Sequence, residues 1–367
     1  MKIALIVPPF ITVPPKRYGG TELFVANLAE GLRTQGHWPV VYTVGESRVN
    51  CEIRWRQAHG KWPIESALES SLDDLEHSSW ACRDAARDCD LIHLNNAPGL
   101  NFARFVDLPF VYTLHHPHEE PLSRYYAHFP RVQFVAISRS QARQEGRPGL
   151  DAIHHGLRPE NYRVGTGKRD YLCFVGRIAP IKGTHTAIAV ARQAGLPLKI
   201  AGEIQPIYRD YWEQCIRPHV DGKQVEYVGE VDLEAKNQLL GGARALLFPI
   251  EWEEPFGLVM IEAMACGTPV LAFARGAAPE VVENGVSGYV CADAAEMARR
   301  AQEAPITPAR CRKHFEDHFS MACMVERYTG LYERLARKRR LPTRVLPCPE
   351  DVALAKATPE APLQAAS

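Results

Sequence analysis

The run Tyr171-Leu172-Cys173-Phe174-Val175-Gly176-Arg177-Ile178-Ala179-Pro180-Ile181-Lys182-Gly183-Thr184 decides the fold. Its first five residues are apolar throughout, as in a strand buried on both faces. A loop from Gly176 to Gly183 follows, then Thr184–Ala194 at helical spacing and a further strand, Leu198–Ala201. The chain begins the same way. Ile3–Val7 is an apolar run, and a Pro-rich loop after it ends in Gly19-Gly20. Thr21 is a candidate helix N-cap, and Leu23, Ala26, Leu28, Ala29 and Leu32 recur at helical spacing up to Gly36. Val40–Thr43 is the next strand. Strand, glycine turn, helix, strand is the opening of a parallel doubly wound sheet, and here it occurs twice.

Working outward, the first cycle continues through a polar helix near Ser66–Ala86 and strands at Leu91–Leu94, Phe110–Leu114 and Phe134–Ile137. Arg163–Lys168, with two glycines, is the candidate linker. Val225–Val228, Ala245–Phe248 and Pro269–Phe273 complete a second parallel sheet. Met321–Lys338 reads as one amphipathic helix with a basic finish from Arg337 to Arg340, which suits a helix C-terminus. The expected class is α/β, with two Rossmann-like domains facing across a cleft. The first spans residues 1–165, the second 166–316, a C-terminal helix 317–338, and a mobile Pro- and Ala-rich tail 339–367.

Composition bounds the function. The 367 residues suit two α/β domains, and 46% hydrophobic with 23% charged residues is ordinary for a soluble protein. A formal net charge of +0, from 43 basic and 43 acidic residues, argues against nucleic acid as the main partner. Ten cysteines are scattered singly between Cys51 and Cys348 without metal-ligand spacing, so they read as reduced thiols in a cytoplasmic protein. The N-terminus reads as a first strand and not as a signal peptide, and no apolar run is long enough to span a bilayer.

The chemistry concentrates in Glu254-Pro255-Phe256-Gly257-Leu258, followed by Glu262 and by Cys266-Gly267-Thr268-Pro269. A helix opening just after Glu254 would aim free N–H groups at phosphate or sugar oxygens above the sheet. The two carboxylates are eight residues apart, ~12 Å along such a helix. That is too wide for a shared-proton dyad but suits polyols at the two ends of one ligand, a sugar and a ribose, because a carboxylate can accept from two adjacent hydroxyls. The segment resembles the E-x7-E signature of family 4 glycosyltransferases, retaining enzymes of GT-B fold. The resemblance implies that Glu254 contacts the transferred sugar, that Glu262 contacts the nucleotide ribose, and that N–H groups of Phe256, Gly257 and Leu258 meet sugar hydroxyls.

Further segments fit the same resemblance. Val175-Gly176-Arg177 with Lys182-Gly183 resembles the family's basic motif, which implies that Arg177 and Lys182 neutralise the departing diphosphate. Gly19 and Gly20 would face that diphosphate and the acceptor across the cleft. His115 ends a strand at the sheet's carboxyl edge and occupies the position of a family histidine near the reacting sugar. Val231 falls in the stretch that holds the base by backbone contacts. His155 stands where an asparagine often precedes the glycine of the 153–157 loop. Asp88-Cys89-Asp90 has the D-x-D form of a metal motif but lies just before a strand and reads as a helix-to-strand turn. A dinucleotide G-x-G-x-x-G fingerprint is missing, which counts against a dehydrogenase.

The resemblance therefore implies metal-independent transfer of a hexose from a nucleoside-diphosphate sugar, with no cofactor beyond that co-substrate. UDP-glucose is the first expectation for the donor and GDP-mannose the second. The acceptor, a glycan, glycolipid or small metabolite, stays open, as does peripheral contact with the inner face of a membrane through Arg337–Arg340. An epimerase or hydrolase of the same fold, or a non-catalytic sugar-nucleotide-binding module, is the alternative.

Overall fold

The computed structural model describes residues 1–16, 19–303 and 306–340. Two all-parallel sheets organise it. The first has seven strands: β1 Lys2–Ile6, β2 Trp38–Tyr42, β3 Glu52–Arg54, β4 Leu91–Leu94, β5 Phe110–Leu114, β6 Gln133–Ala136 and β7 Asp151–Ala152. Their spatial order is β3-β2-β1-β4-β5-β6-β7. The second has six: β8 Tyr171–Val175, β9 Leu198–Ala201, β10 Val225–Gly229, β11 Ala243–Phe248, β12 Val270–Phe273 and β13 Gly288–Cys291, in the order β10-β9-β8-β11-β12-β13.

Both sheets are buried on two faces, which is why their strands read as continuous apolar runs. In β1, Ala4 and Ile6 belong to one core cluster and Ile3 and Leu5 to the other, on opposite faces of the pleat. Three strands escape the sequence reading because they lack such runs. β3 (Glu-Ile-Arg) and β7 (Asp-Ala) are short edges of the first sheet, and β13 opens on a glycine at the edge of the second.

Each order reverses direction once. β1 lies between β2 and β4, and β8 lies between β9 and β11. In open α/β sheets the crevice forms outside the carboxyl ends of the strands at that switch point. The loops leaving β1 and β8 are those that carry Gly19-Gly20 and Arg177…Lys182.

The candidate linker is not loose. The Arg163 N–H donates to Asn237 Oδ1 at 3.2 Å and the Gly165 N–H to the Cys266 carbonyl at 3.2 Å. The Met321–Arg340 helix returns to the first sheet: Tyr332 OH lies 2.6 Å from His93 Nδ1, and Tyr328 OH lies 2.9 Å from Thr113 Oγ1. The Pro308–Phe319 helix before it escaped the sequence reading. Asp88-Cys89-Asp90 is the turn between the Ala67–Ala85 helix and β4, with Asp88 paired to Lys2 and Arg54. The expected tail lies, from Leu341 on, outside the described residues. No helix among the described residues is long and apolar enough to cross a membrane.

Candidate active site

Gly257 sets the geometry of the acidic loop. Its φ is 83°, in the left-handed region where glycine carries no Cβ penalty, and it caps the Leu258–Ala265 helix. The helix therefore opens three residues later than the sequence suggested. Glu254 stays in the preceding loop, so the ~12 Å spacing along one helix does not apply. No hydrogen bond among the described residues takes up the N–H of Phe256 or Gly257. The Phe256 side chain is core, 2% exposed against His155 and Phe319, so only its backbone is available to a ligand.

Glu254 is held from two sides. Lys182 Nζ lies 2.5 Å from its Oε2, and Trp252 Nε1 donates to the same oxygen at 3.0 Å. The Lys182 ammonium also sits 4.7 Å from the Trp252 ring centre, a cation–π contact. The Ala277 N–H to Glu254 carbonyl bond, 2.9 Å, fastens the loop to the segment after β12.

Glu262 is the only charged residue in the helix Leu-Val-Met-Ile-Glu-Ala-Met-Ala, and it is 4% exposed. It is not a solvated surface acid. Burying a carboxylate is costly unless it is paired, and this one is: Lys236 Nζ lies 2.8 Å and Tyr162 OH 3.1 Å from its Oε1.

Arg177 reaches Gln205 Oε1 at 3.4 Å and lies 5.8 Å from the Tyr208 ring centre, while its Nε is buried without a partner among the described residues. The glycine demanding close approach here is Gly202 and not Gly176. A Cβ on Gly202, at φ +154°, would lie 1.8 Å from the Gly176 carbonyl oxygen. At Gly176 itself the nearest atoms are 3.8 Å away.

Six predicted residues line one cleft of about 210 Å³ between the sheets: Gly19, Gly20, Arg177, Val231, Leu258 and Glu262. A Cβ on Gly20 would lie 3.5 Å from Leu258 Cδ1, so the two halves meet at this lip. Glu22, in the first turn of the Gly20–Thr34 helix, is buried, and burial lifts its carboxyl to about 7 against the opposing pull of its own N–H. Two larger hollows, about 550 Å³ beside Trp55 and Trp80 and about 300 Å³ beside Trp62, are walled by residues of the first half and hold none of the predicted site residues.

His115 does not line that cleft. It packs against Phe24 with ring centres 5.1 Å apart and stacks on His155 at 5.8 Å and 8°. His155 in turn meets the Phe256 ring edge-on at 5.0 Å, linking His115 to the acidic loop through two rings. Burial, then the neighbouring imidazoles, pushes the His115 pKa well below the ordinary histidine value. Asn95 Nδ2 donates to the Ile6 carbonyl, so its Oδ1 faces His115 Nε2 at 2.9 Å. His115 Nε2 must then carry the proton, which leaves Nδ1 as an acceptor.

Sequence reading missed Lys236, Tyr162 and Trp252. Lys236 sits one turn past the Asp232 N-cap, whose Oδ1 accepts from the Ala235 N–H at 2.9 Å. A side chain there leans toward the helix N-terminus and the carboxyl edge of the sheet.

Two doubly wound parallel domains meeting over their switch points define a GT-B protein, and solved glycosyltransferases share the arrangement. One involved in avilamycin A biosynthesis is 28% identical with a TM-score of 0.69, covering 92% of this chain and 98% of that one. The Anabaena protein HepE, solved in complex with UDP-glucose, has a TM-score of 0.72 at 18% identity, covering 91% of this chain and 100% of that one. The profile described as "Glycosyltransferase Family 4" matches residues 18–153, and that described as "Glycosyl transferases group 1" matches residues 163–312. The chain belongs to the family 4, group 1 glycosyltransferases. A glycogen synthase of Mycobacterium tuberculosis is 33% identical over 174 residues, which span 46% of this chain and 41% of that relative. The match thus spans less than half of that relative's length.

Proposed function

We propose that this protein transfers a hexose from a nucleoside-diphosphate sugar to an acceptor with retention of anomeric configuration. One observation carries the reading: Arg177, Val231, Leu258 and Glu262 of one half line a single cleft with Gly19 and Gly20 of the other. The Lys182–Glu254 pair does not line that cleft; it joins the segment that follows Arg177 to the loop that precedes Leu258.

In this reading Glu262 takes the ribose diol and the base lies along the backbone near Val231. The diphosphate is held by Arg177, by Lys182 and by the free N–H groups of Phe256 and Gly257. Lys182 must then share its ammonium between Glu254 and a phosphate oxygen. As the bond to the sugar breaks, charge grows on the leaving oxygen. Fixed cations and N–H dipoles stabilise it without reorganising, which is commonly the largest catalytic contribution. Two side-chain cations supply the charge that a metal supplies in other enzymes, so the reaction is metal-independent and uses no cofactor. Glu254 positions sugar hydroxyls. The acceptor attacks from the face the diphosphate leaves, and a phosphate oxygen takes its proton.

UDP-glucose is the first donor to test, supported by the HepE complex, and GDP-mannose the second. The acceptor is a glycan, a glycolipid or a small metabolite. Free cysteines throughout the described residues support work in the reducing cytoplasm. Peripheral contact with the inner face of a membrane belongs to this proposal as well.

The experiment is a thermal-shift screen against sugar nucleotides, then turnover of the binder with and without acceptors. A ligand that binds only the native state raises apparent stability by mass action. Acceptor-dependent release of nucleoside diphosphate supports the proposal. Acceptor-independent conversion of the donor points to an epimerase or hydrolase, and binding without conversion to a non-catalytic module.

A further inference from the structure

The Glu262 carboxylate is buried in an apolar helix, and both of its observed hydrogen bonds fall on one oxygen. Oε1 receives the Lys236 ammonium at 2.8 Å and the Tyr162 hydroxyl at 3.1 Å. Oε2 has no partner among the described residues, while Glu262 and Lys236 both line the cleft. Two donors on one oxygen fix the plane of the carboxylate and leave the other oxygen to accept.

Lys236 also changes the electrostatics. A buried, unpaired carboxylate would repel a nucleoside diphosphate arriving beside it and would cost energy to keep ionised. Pairing with Lys236 offsets the Glu262 charge inside the cleft, whose other charged lining residues are Arg177, Glu203 and Glu230. The arrangement is anchored at both ends. Lys236 sits in the first turns of the Leu233–Gly242 helix. Tyr162 ends the short Pro159–Asn161 turn, and the carbonyls of Tyr162 and Pro159 accept from Arg312 at 2.8 and 3.0 Å.

We infer that Lys236 and Tyr162 are positioning residues that aim the free oxygen of Glu262 at the donor's ribose and so set the protein's preference for ribonucleotides. The inference rests on the donor-site reading above. An ion pair serving stability alone would leave that preference unchanged, so sugar discrimination is the deciding readout.

The test measures binding of UDP and 2′-deoxy-UDP, with GDP and 2′-deoxy-GDP alongside, by calorimetry on the full chain. The wild-type protein is expected to favour the ribo form by about tenfold or more, the scale of a hydrogen bond to a charged group. In Lys236→Met the preference collapses to within about threefold, and Lys236→Arg restores most of it. Tyr162→Phe removes the other donor, reduces the preference by a smaller factor, and decides the matter if Lys236→Met does not fold. An unchanged ribo preference in folded Lys236→Met, or in Tyr162→Phe where that variant decides, overturns the inference and leaves the proposed function standing. Failure of the wild-type protein to bind any of the four nucleotides overturns the inference together with the UDP and GDP donors named above.

Discussion

Replacing Lys182 with methionine tests the diphosphate-stabilising role most directly. Methionine keeps an apolar stem over the Trp252 ring and removes only the charge. The ammonium lies 2.5 Å from Glu254 Oε2, and the two side chains are 18% and 13% exposed. Breaking a fully buried pair costs about 3–5 kcal/mol and an exposed one under about 1 kcal/mol. With Trp252 still donating to Glu254, a stability loss of about 2 kcal/mol follows, a few degrees in Tm. The catalytic loss is larger. Removing one preorganised group that stabilises transition-state charge costs about 2.7–4 kcal/mol, or about 10²–10³ in kcat. The assay is nucleoside-diphosphate release from whichever sugar nucleotide the wild-type protein turns over, with thermal melting as the check on folding. A folded Lys182→Met protein turning over within about threefold of wild type would refute the assignment, since about 0.7 kcal/mol is too little for a charge on the leaving group.

Two further outcomes follow from backbone and burial. Gly202→Ala places a methyl 1.8 Å from the Gly176 carbonyl oxygen and should cost about 3 kcal/mol in urea unfolding, whereas Gly176→Ala meets nothing nearer than 3.8 Å and should cost under about 1 kcal/mol; equal losses would contradict the reading of that turn. Burial lowers the His155 pKa to about 3, so in acid the unfolded chain takes up the proton before the native one does. This contribution to stability is therefore whole above the unfolded value near 6.5 and is lost as pH falls, by about 2 kcal/mol at about pH 5. His155→Asn should flatten the pH dependence of the urea midpoint by that amount, and an unchanged slope would place the titration elsewhere.

The strands legible in the sequence were those whose apolar runs need no partner to be recognised. Tyr171–Val175, Leu198–Ala201 and Phe110–Leu114 match strands residue for residue, because a strand covered on both faces is apolar at nearly every position; the exceptions, Lys199 and Thr113, find partners in Glu226 and Tyr328. β3, held at an edge by ion pairs of Arg54 with Asp84 and Asp88, has no such signature. The helix start at Leu258 is not legible in the sequence because a glycine can cap a helix as readily as continue it; in the structure Gly257 is left-handed and the loop before it is fastened to Ala277.

By itself the sequence determined the two doubly wound sheets and singled out Arg177, Lys182, Glu254 and Glu262, because periodicity and residue chemistry are local properties of a chain. Only the tertiary structure decided which of them share a cavity, that Glu262 is buried and paired with Lys236, and that His115 stacks on His155 outside that cavity. Those facts depend on contacts between residues far apart in the chain, such as Tyr162 with Glu262 and Gly20 with Leu258. Burial, pairing and protonation are set by whatever packs around a group, and the chain fixes that only by folding.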